Sequence, residues 1–181
     1  MTGGARLFFA VWPAPEIQRA LGELGKALQR RCGGRAIVAG NIHLTLVFLG
    51  DVARDRLPRL DAVAAAISAP PFDLSVNRVE YWRHNRIVWA GVERCPDALQ
   101  SLVAHLEQAL VAEGFHFDRR PYVPHVTLLR NARRAPSDAA TRAVAWPVIR
   151  FALVESVARE RGRVYEVLRE WPLVARTARR I

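Results

Sequence analysis

Histidine recurs beside threonine at two distant points of the chain, His43-Leu44-Thr45-Leu46 and His125-Val126-Thr127-Leu128. With five histidines and five threonines in 181 residues, unrelated placement predicts only about 0.14 such His-x-Thr triplets. Residues two apart on a strand share a face, so each copy presents an imidazole next to a hydroxyl. An unperturbed imidazole titrates near about 6.5 and can give or take a proton. The hydroxyl can donate a hydrogen bond to an anionic oxygen. In-line attack at phosphorus needs a base for the nucleophile on one side and an acid for the leaving oxygen on the other. Two such strands facing each other across a groove would supply both, with the threonines holding the non-bridging oxygens as charge builds on them. One histidine on a half-buried strand is ordinarily structural; the pairing favours the chemistry. His84, His105 and His116 have no neighbouring threonine and are expected to face solvent. A metal site on His43 and His125 would lack a third ligand at suitable spacing, so no metal and no cofactor are expected.

The elements that carry these residues can be read from periodicity. "RLFFAVWP" (Arg6 to Pro13) is a short aromatic-rich apolar run stopped by proline, a buried strand. From Pro15, the positions Ile17, Ala20, Leu21, Leu24 and Leu28 recur at helical spacing until Gly33-Gly34. Asn41 to Leu49 reads as a strand closed by Gly50-Asp51, with Ile42, Leu44, Leu46 and Phe48 on one face and His43, Thr45 and Val47 on the other. A helix follows from about Asp55 to Ile67, then strands Phe72 to Trp82 and Arg86 to Val92 around a turn at His84-Asn85. A third helix starts near Pro96-Asp97, with Leu99, Leu102, Val103, Leu106 and Leu110 as its stripe and Gly114 as its stop. An extended segment leads into a strand from His125. Val148 to Val157 and Arg163 to Trp171 are two further strands around the turn Glu160-Arg161-Gly162, before a basic tail expected to fray. Strands that follow one another directly argue against a doubly wound sheet, so the expected class is α+β with largely antiparallel sheets.

The chain is long enough to bury one substantial core, and 51% of its residues are hydrophobic, so residues 1–181 are expected to form one unit. No run reaches the roughly 18 apolar residues of a membrane span, and the expectation is a cytoplasmic protein that meets no membrane. Cys32 and Cys95 are far apart and outside any C-x-x-C spacing, as ordinary thiols would be. A Gly-rich phosphate loop, an H-E-x-x-H helix and a nucleophile elbow are all missing. The formal charge of +10 rests on arginine, since Lys26 is the only lysine. Arginine's planar fork suits phosphate, which favours a polyanionic partner.

At these residues the sequence resembles the 2H phosphoesterase superfamily, and within it the bacterial and archaeal RNA 2′,3′-cyclic phosphodiesterases historically called 2′-5′ RNA ligases. Both H-x-T-x motifs match in full, and the flanks "RLFFAVWP", "NIHLTLVFLGDV", "RPYVPHVTLLR" and "LVESVARERGRVYEVLREWPL" extend the likeness over nearly the whole chain. The resemblance implies two pseudo-symmetric α+β lobes around a central cleft, helices outside, with one motif per lobe. It implies metal-independent hydrolysis of an RNA 2′,3′-cyclic phosphate end to a 2′-phosphomonoester, with His43 as proton donor to the leaving 3′ oxygen and His125 as the acceptor that activates water, and a monomer is expected. The residues alone do not say which histidine is which. Thr45 and Thr127 would bind the phosphate oxygens. Arg130 matches the arginine that commonly ends the second motif, although strict alternation from His125 turns it away, so that role requires the strand to bend. Tyr122 stands where relatives often have an aromatic and could stack on a base. "AIVAG" ahead of the first motif departs from the charged or aromatic residue common there. Two other readings stay open on the residues: an RNA-binding or end-joining factor, and a cyclic phosphodiesterase of small nucleotides.

Overall fold

The computed structural model describes residues 3–137, 140–160 and 162–174; the basic tail and Arg161 of the expected turn lie outside the described residues. Among the described residues, nine strands and three α-helices follow in the order β1 (Gly4–Val11), α1 (Pro15–Cys32), β2 (Arg35–Ala36), β3 (Leu44–Ala53), α2 (Leu57–Ala66), β4 (Phe72–Trp82), β5 (Ile87–Val92), α3 (Asp97–Ala112), β6 (His125–Arg130), β7 (Ala140–Val148), β8 (Arg150–Arg159) and β9 (Gly162–Pro172). They build two antiparallel sheets, one ordered β3-β1-β8-β9 and the other β2-β6-β5-β4-β7. The first motif lies on the four-stranded sheet and the second on the five-stranded sheet.

Two helices, α1 and α3, pack on the sheet opposite the strand they follow. α1 follows a strand of the first sheet but packs on β6, β2 and β7 of the second, while α2 and α3 pack on each other and reach β9 and β3 of the first. Each connection therefore ties one sheet to the other. α1 begins on proline, where the missing N–H costs nothing, carries Glu16 in its first turn and Arg30 and Arg31 in its last, and so complements its dipole at both ends. Its buried side is Ile17, Leu21, Leu28 and Cys32. The expected stripe of α3 is wholly buried.

β1 sorts its side chains by alternation. Leu7, Phe9 and Val11 enter the large core shared with the helices, while Phe8 and Ala10 join Ala152 and Val154 in a small cluster on the opposite face. Cys32 is buried in the large core and Cys95 is partly exposed, both as free thiols. No helix among the described residues is long and apolar enough to cross a membrane.

Four expectations need correction. The first motif strand, expected from Asn41, starts at Leu44, because Ala39–Asn41 is a 3-10 turn, so His43 stands at the mouth of the strand. Gly50 does not end β3: at φ 72° it accommodates a bulge at Leu49, and pairing with β1 continues to Ala53. Val47, expected beside His43 and Thr45, is in the core, and Phe48, expected on the face of Ile42, Leu44 and Leu46, faces the other way. Two strands escaped the sequence reading: β2 is two residues long, and β7 has its proline on the edge of a sheet, where no ladder bond is lost.

Candidate active site

His125 is the first residue of β6 and His43 immediately precedes β3, and the two have the same local hydrogen-bond geometry. The Nδ1–H of His43 donates to the carbonyl oxygen of Asn41 at 2.7 Å, and that of His125 to the carbonyl of Val123 at 2.8 Å. In each case the acceptor lies two residues back in the chain. A carbonyl can only accept, so these bonds select the tautomer with the proton on Nδ1 and leave Nε2 with a free lone pair. Thr45 and Thr127 follow two residues later, and all four side chains line one cleft of about 620 Å³ between the sheets.

The fourth residue of each motif explains how the clefts' walls are completed. Ala10 of β1 pairs with Thr45 and Phe9 with Val47, so Leu46 is an extra residue. Trp89 of β5 pairs with Thr127 and Val88 with Leu129, so Leu128 is extra in the same way. A bulge sets two successive side chains toward one side. Leu46 with Val47, and Leu128 with Leu129, accordingly all enter the core. The next residue in each copy, Phe48 and Arg130, then returns to the cleft. This is the bend that a cleft-facing Arg130 requires.

The two walls differ in chemistry. His43 is enclosed by aromatics: Trp12 stacks on its ring at 5.2 Å with a 5° interplanar angle, and Phe8 and Tyr165 each lie 4.9 Å away. Burial there disfavours the imidazolium and pulls the His43 pKa down to about 4; the Asn41 carbonyl opposes this, and the charges of His125 and Arg130 add to it. His125 has Trp82 edge-on at 4.6 Å and Trp89 at 6.1 Å. Its pKa is lowered as well, first by burial, with Arg120 and Arg130 contributing and the Val123 carbonyl opposing. Each imidazole is thus within electrostatic reach of Arg130, and His43 feels His125 directly.

Tyr122, expected as a possible stacking surface, packs by its ring against the core, and its hydroxyl donates to the backbone carbonyl of Thr45 at 3.3 Å, linking the approach to the second motif with the strand of the first. Burial drives its pKa far upward, so the hydroxyl stays protonated as a donor. His84, His105 and His116 are exposed. Among the described residues no three His, Cys, Asp or Glu side chains gather as metal ligands would. The departing "AIVAG" segment gives the cleft an apolar lip at Ala36, Ile37 and Val38. Sequence reasoning missed Arg6, Phe8, Arg35, Phe48, Arg163 and Tyr165, which also line the cleft. Phe8 was hidden in an unbroken apolar run, and the remainder depend on which strands become neighbours.

The sequence profile of the 2′-5′ RNA ligase superfamily matches residues 12–163. The chain is 34% identical over 177 residues to the RNA 2′,3′-cyclic phosphodiesterase of Escherichia coli K12, covering 96% of this chain and 99% of that one. Its fold is similar to E. coli LigT in apo form, with a TM-score of 0.85, 31% identity, and coverage of 95% and 99%. The same is true of E. coli LigT complexed with 3′-AMP, with a TM-score of 0.84, 30% identity, and coverage of 94% and 98%.

Proposed function

Because the chain belongs to the 2′-5′ RNA ligase superfamily, we propose that it hydrolyses RNA 2′,3′-cyclic phosphate ends to 2′-phosphomonoesters by paired-histidine acid–base catalysis. The observation that carries this reading is the matched pair of imidazoles, each tautomer-locked through Nδ1 and each beside a threonine, on opposite sheets around one cleft. The similarity to enzymes named for this activity, and to a LigT structure holding 3′-AMP, supports it.

In the proposed reaction, Nε2 of His125 takes a proton from water as the water oxygen bonds to phosphorus. The bond from phosphorus to the 3′ oxygen breaks, and His43, entering as the imidazolium, gives its Nε2 proton to that oxygen. Thr45 and Thr127 donate hydrogen bonds to the non-bridging oxygens, and Arg130 offsets the charge that grows on them. His43 leaves the step neutral and His125 protonated, and exchange with solvent restores both. The steps call for no metal, so EDTA should leave the rate unchanged. An RNA 5′-hydroxyl replacing water would, by the same proton transfers, give a 2′–5′ linkage.

The reading is tested with His43→Ala and His125→Ala on an RNA ending in a 2′,3′-cyclic phosphate, with products identified by phosphorus NMR and folding checked by circular dichroism. Each variant should lose about 10²- to 10⁴-fold in kcat while remaining folded. Full activity in either variant, or a 3′-phosphate product, would sink the assignment.

A further inference from the structure

Two arginines face the cleft side by side. Arg35 of β2 and Arg130 of β6 are direct partners in the antiparallel ladder, a register that sets Cβ atoms about 4.5–5.5 Å apart on one face. Both are exposed, and both line the cleft with His125 and Thr127. Like charges directly opposite each other destabilise a sheet. Several other strand arginines have carboxylate partners, as Arg150 does in Glu170 and Arg159 in Glu166, while Arg163 bonds Ser156 instead. Among the described residues no carboxylate pairs with Arg35 or Arg130.

The chain is built to hold Arg35 in this position. β2 is held by Ile37, whose N–H donates to the carbonyl of the bulged Leu128 at 2.9 Å, and by Gln29, whose side-chain amide donates to the carbonyl of Gly34 at 2.9 Å. Gly34 itself has φ 83°, and a Cβ there would stand 2.7 Å from the Arg130 carbonyl oxygen and 2.8 Å from the Ala132 nitrogen. Only glycine allows that approach. The Gly33-Gly34 pair therefore does more than stop α1; it turns the chain so that Arg35 lies against Arg130.

A single phosphoryl group held by two threonines and Arg130 leaves Arg35 without a counter-anion. We propose that Arg35 is a specificity residue for a second phosphate, the internucleotide phosphodiester on the 5′ side of the terminal nucleotide, while Arg130 stays with the cyclic phosphate. This rests on the cyclic phosphodiesterase reading of the cleft and narrows its substrate class to RNA strands of two or more nucleotides in preference to lone nucleoside 2′,3′-cyclic phosphates. A planar guanidinium binds phosphate oxygens bidentately, and this gives the second phosphate a defined place along the cleft rather than diffuse attraction.

The test compares adenosine 2′,3′-cyclic phosphate with the diadenosine ending in the same cyclic phosphate, for wild type and Arg35→Gln. In wild type the second phosphate should lower KM about ten-fold or more, and in Arg35→Gln the KM ratio of the two substrates should fall toward one, with the ratio of their kcat values unmoved. A wild type without that preference, an undiminished ratio in the variant, or an equal loss on both substrates overturns the proposal. Calorimetric titration of adenosine 3′-phosphate and the 3′-phosphorylated diadenosine reads the same contrast without turnover. If wild type hydrolyses neither cyclic substrate, the hydrolase reading fails, and the Kd ratio alone decides Arg35: lost in Arg35→Gln it stands, retained it falls.

Discussion

At the scale of single residues, the proton donor is the demanding role of the proposed mechanism. The aromatic enclosure of His43 pulls its pKa down to about 4, so near neutrality the imidazole is uncharged and has no Nε2 proton to give. In the proposed complex the phosphodiester places an anion against that ring, and an adjacent anion favours the imidazolium. The sign follows directly: the donor pKa is higher in the complex than in the free enzyme. Because kcat reports groups in the complex and kcat/KM those in the free enzyme, the alkaline limb of the kcat profile should lie at higher pH than that of kcat/KM. Rates measured from pH 4 to 9 under saturating and limiting substrate decide this, and coincident limbs would mean that no phosphate sits against His43. His125 starts less enclosed, with tryptophan edges rather than a stacked face beside it, and a lowered pKa suits a base that must be neutral to accept.

At the scale of elements, bulges decide what the motif residues look at. An unbroken β6 would send Arg130 away from His125, and an unbroken β3 would bury Phe48; the extra residues Leu128 and Leu46 reverse both. The fourth letter of each motif is thus a packing residue, an apolar side chain that fills the core at the bend. Tyr122 acts at this scale too, since its hydroxyl bond to the Thr45 carbonyl joins the segment preceding β6 to β3. Tyr122→Phe keeps the ring and deletes that partly buried bond. Stability should fall by about 1 kcal/mol, seen in thermal melts as a loss of about 2–4 °C. An unchanged Tm would show that the bond does not hold the two motifs together.

At the scale of the whole molecule, a formal charge of +10 carried almost wholly by arginine surrounds a cleft with arginines on its rim. Binding of a 3′-phosphorylated RNA strand should weaken as salt rises, with log K against log salt losing about 0.7 per neutralised phosphate. A flat salt response would detach the charge from substrate binding. The sequence by itself determined the paired motifs, the α+β class and the three helices. These signals are local: a His-x-Thr spacing, a 3.6-residue stripe on α3, and a proline or glycine at a helix end are legible without knowing any neighbour. Tertiary structure decided the convergence of His43 and His125 on one cleft, the enclosure of His43 by Trp12, Phe8 and Tyr165, and the pairing of Arg35 with Arg130. Strand register and bulges arise from pairing between segments far apart in the chain, and an apolar run such as "LFFAV", covered on both faces, carries no alternation to say which side will meet the substrate.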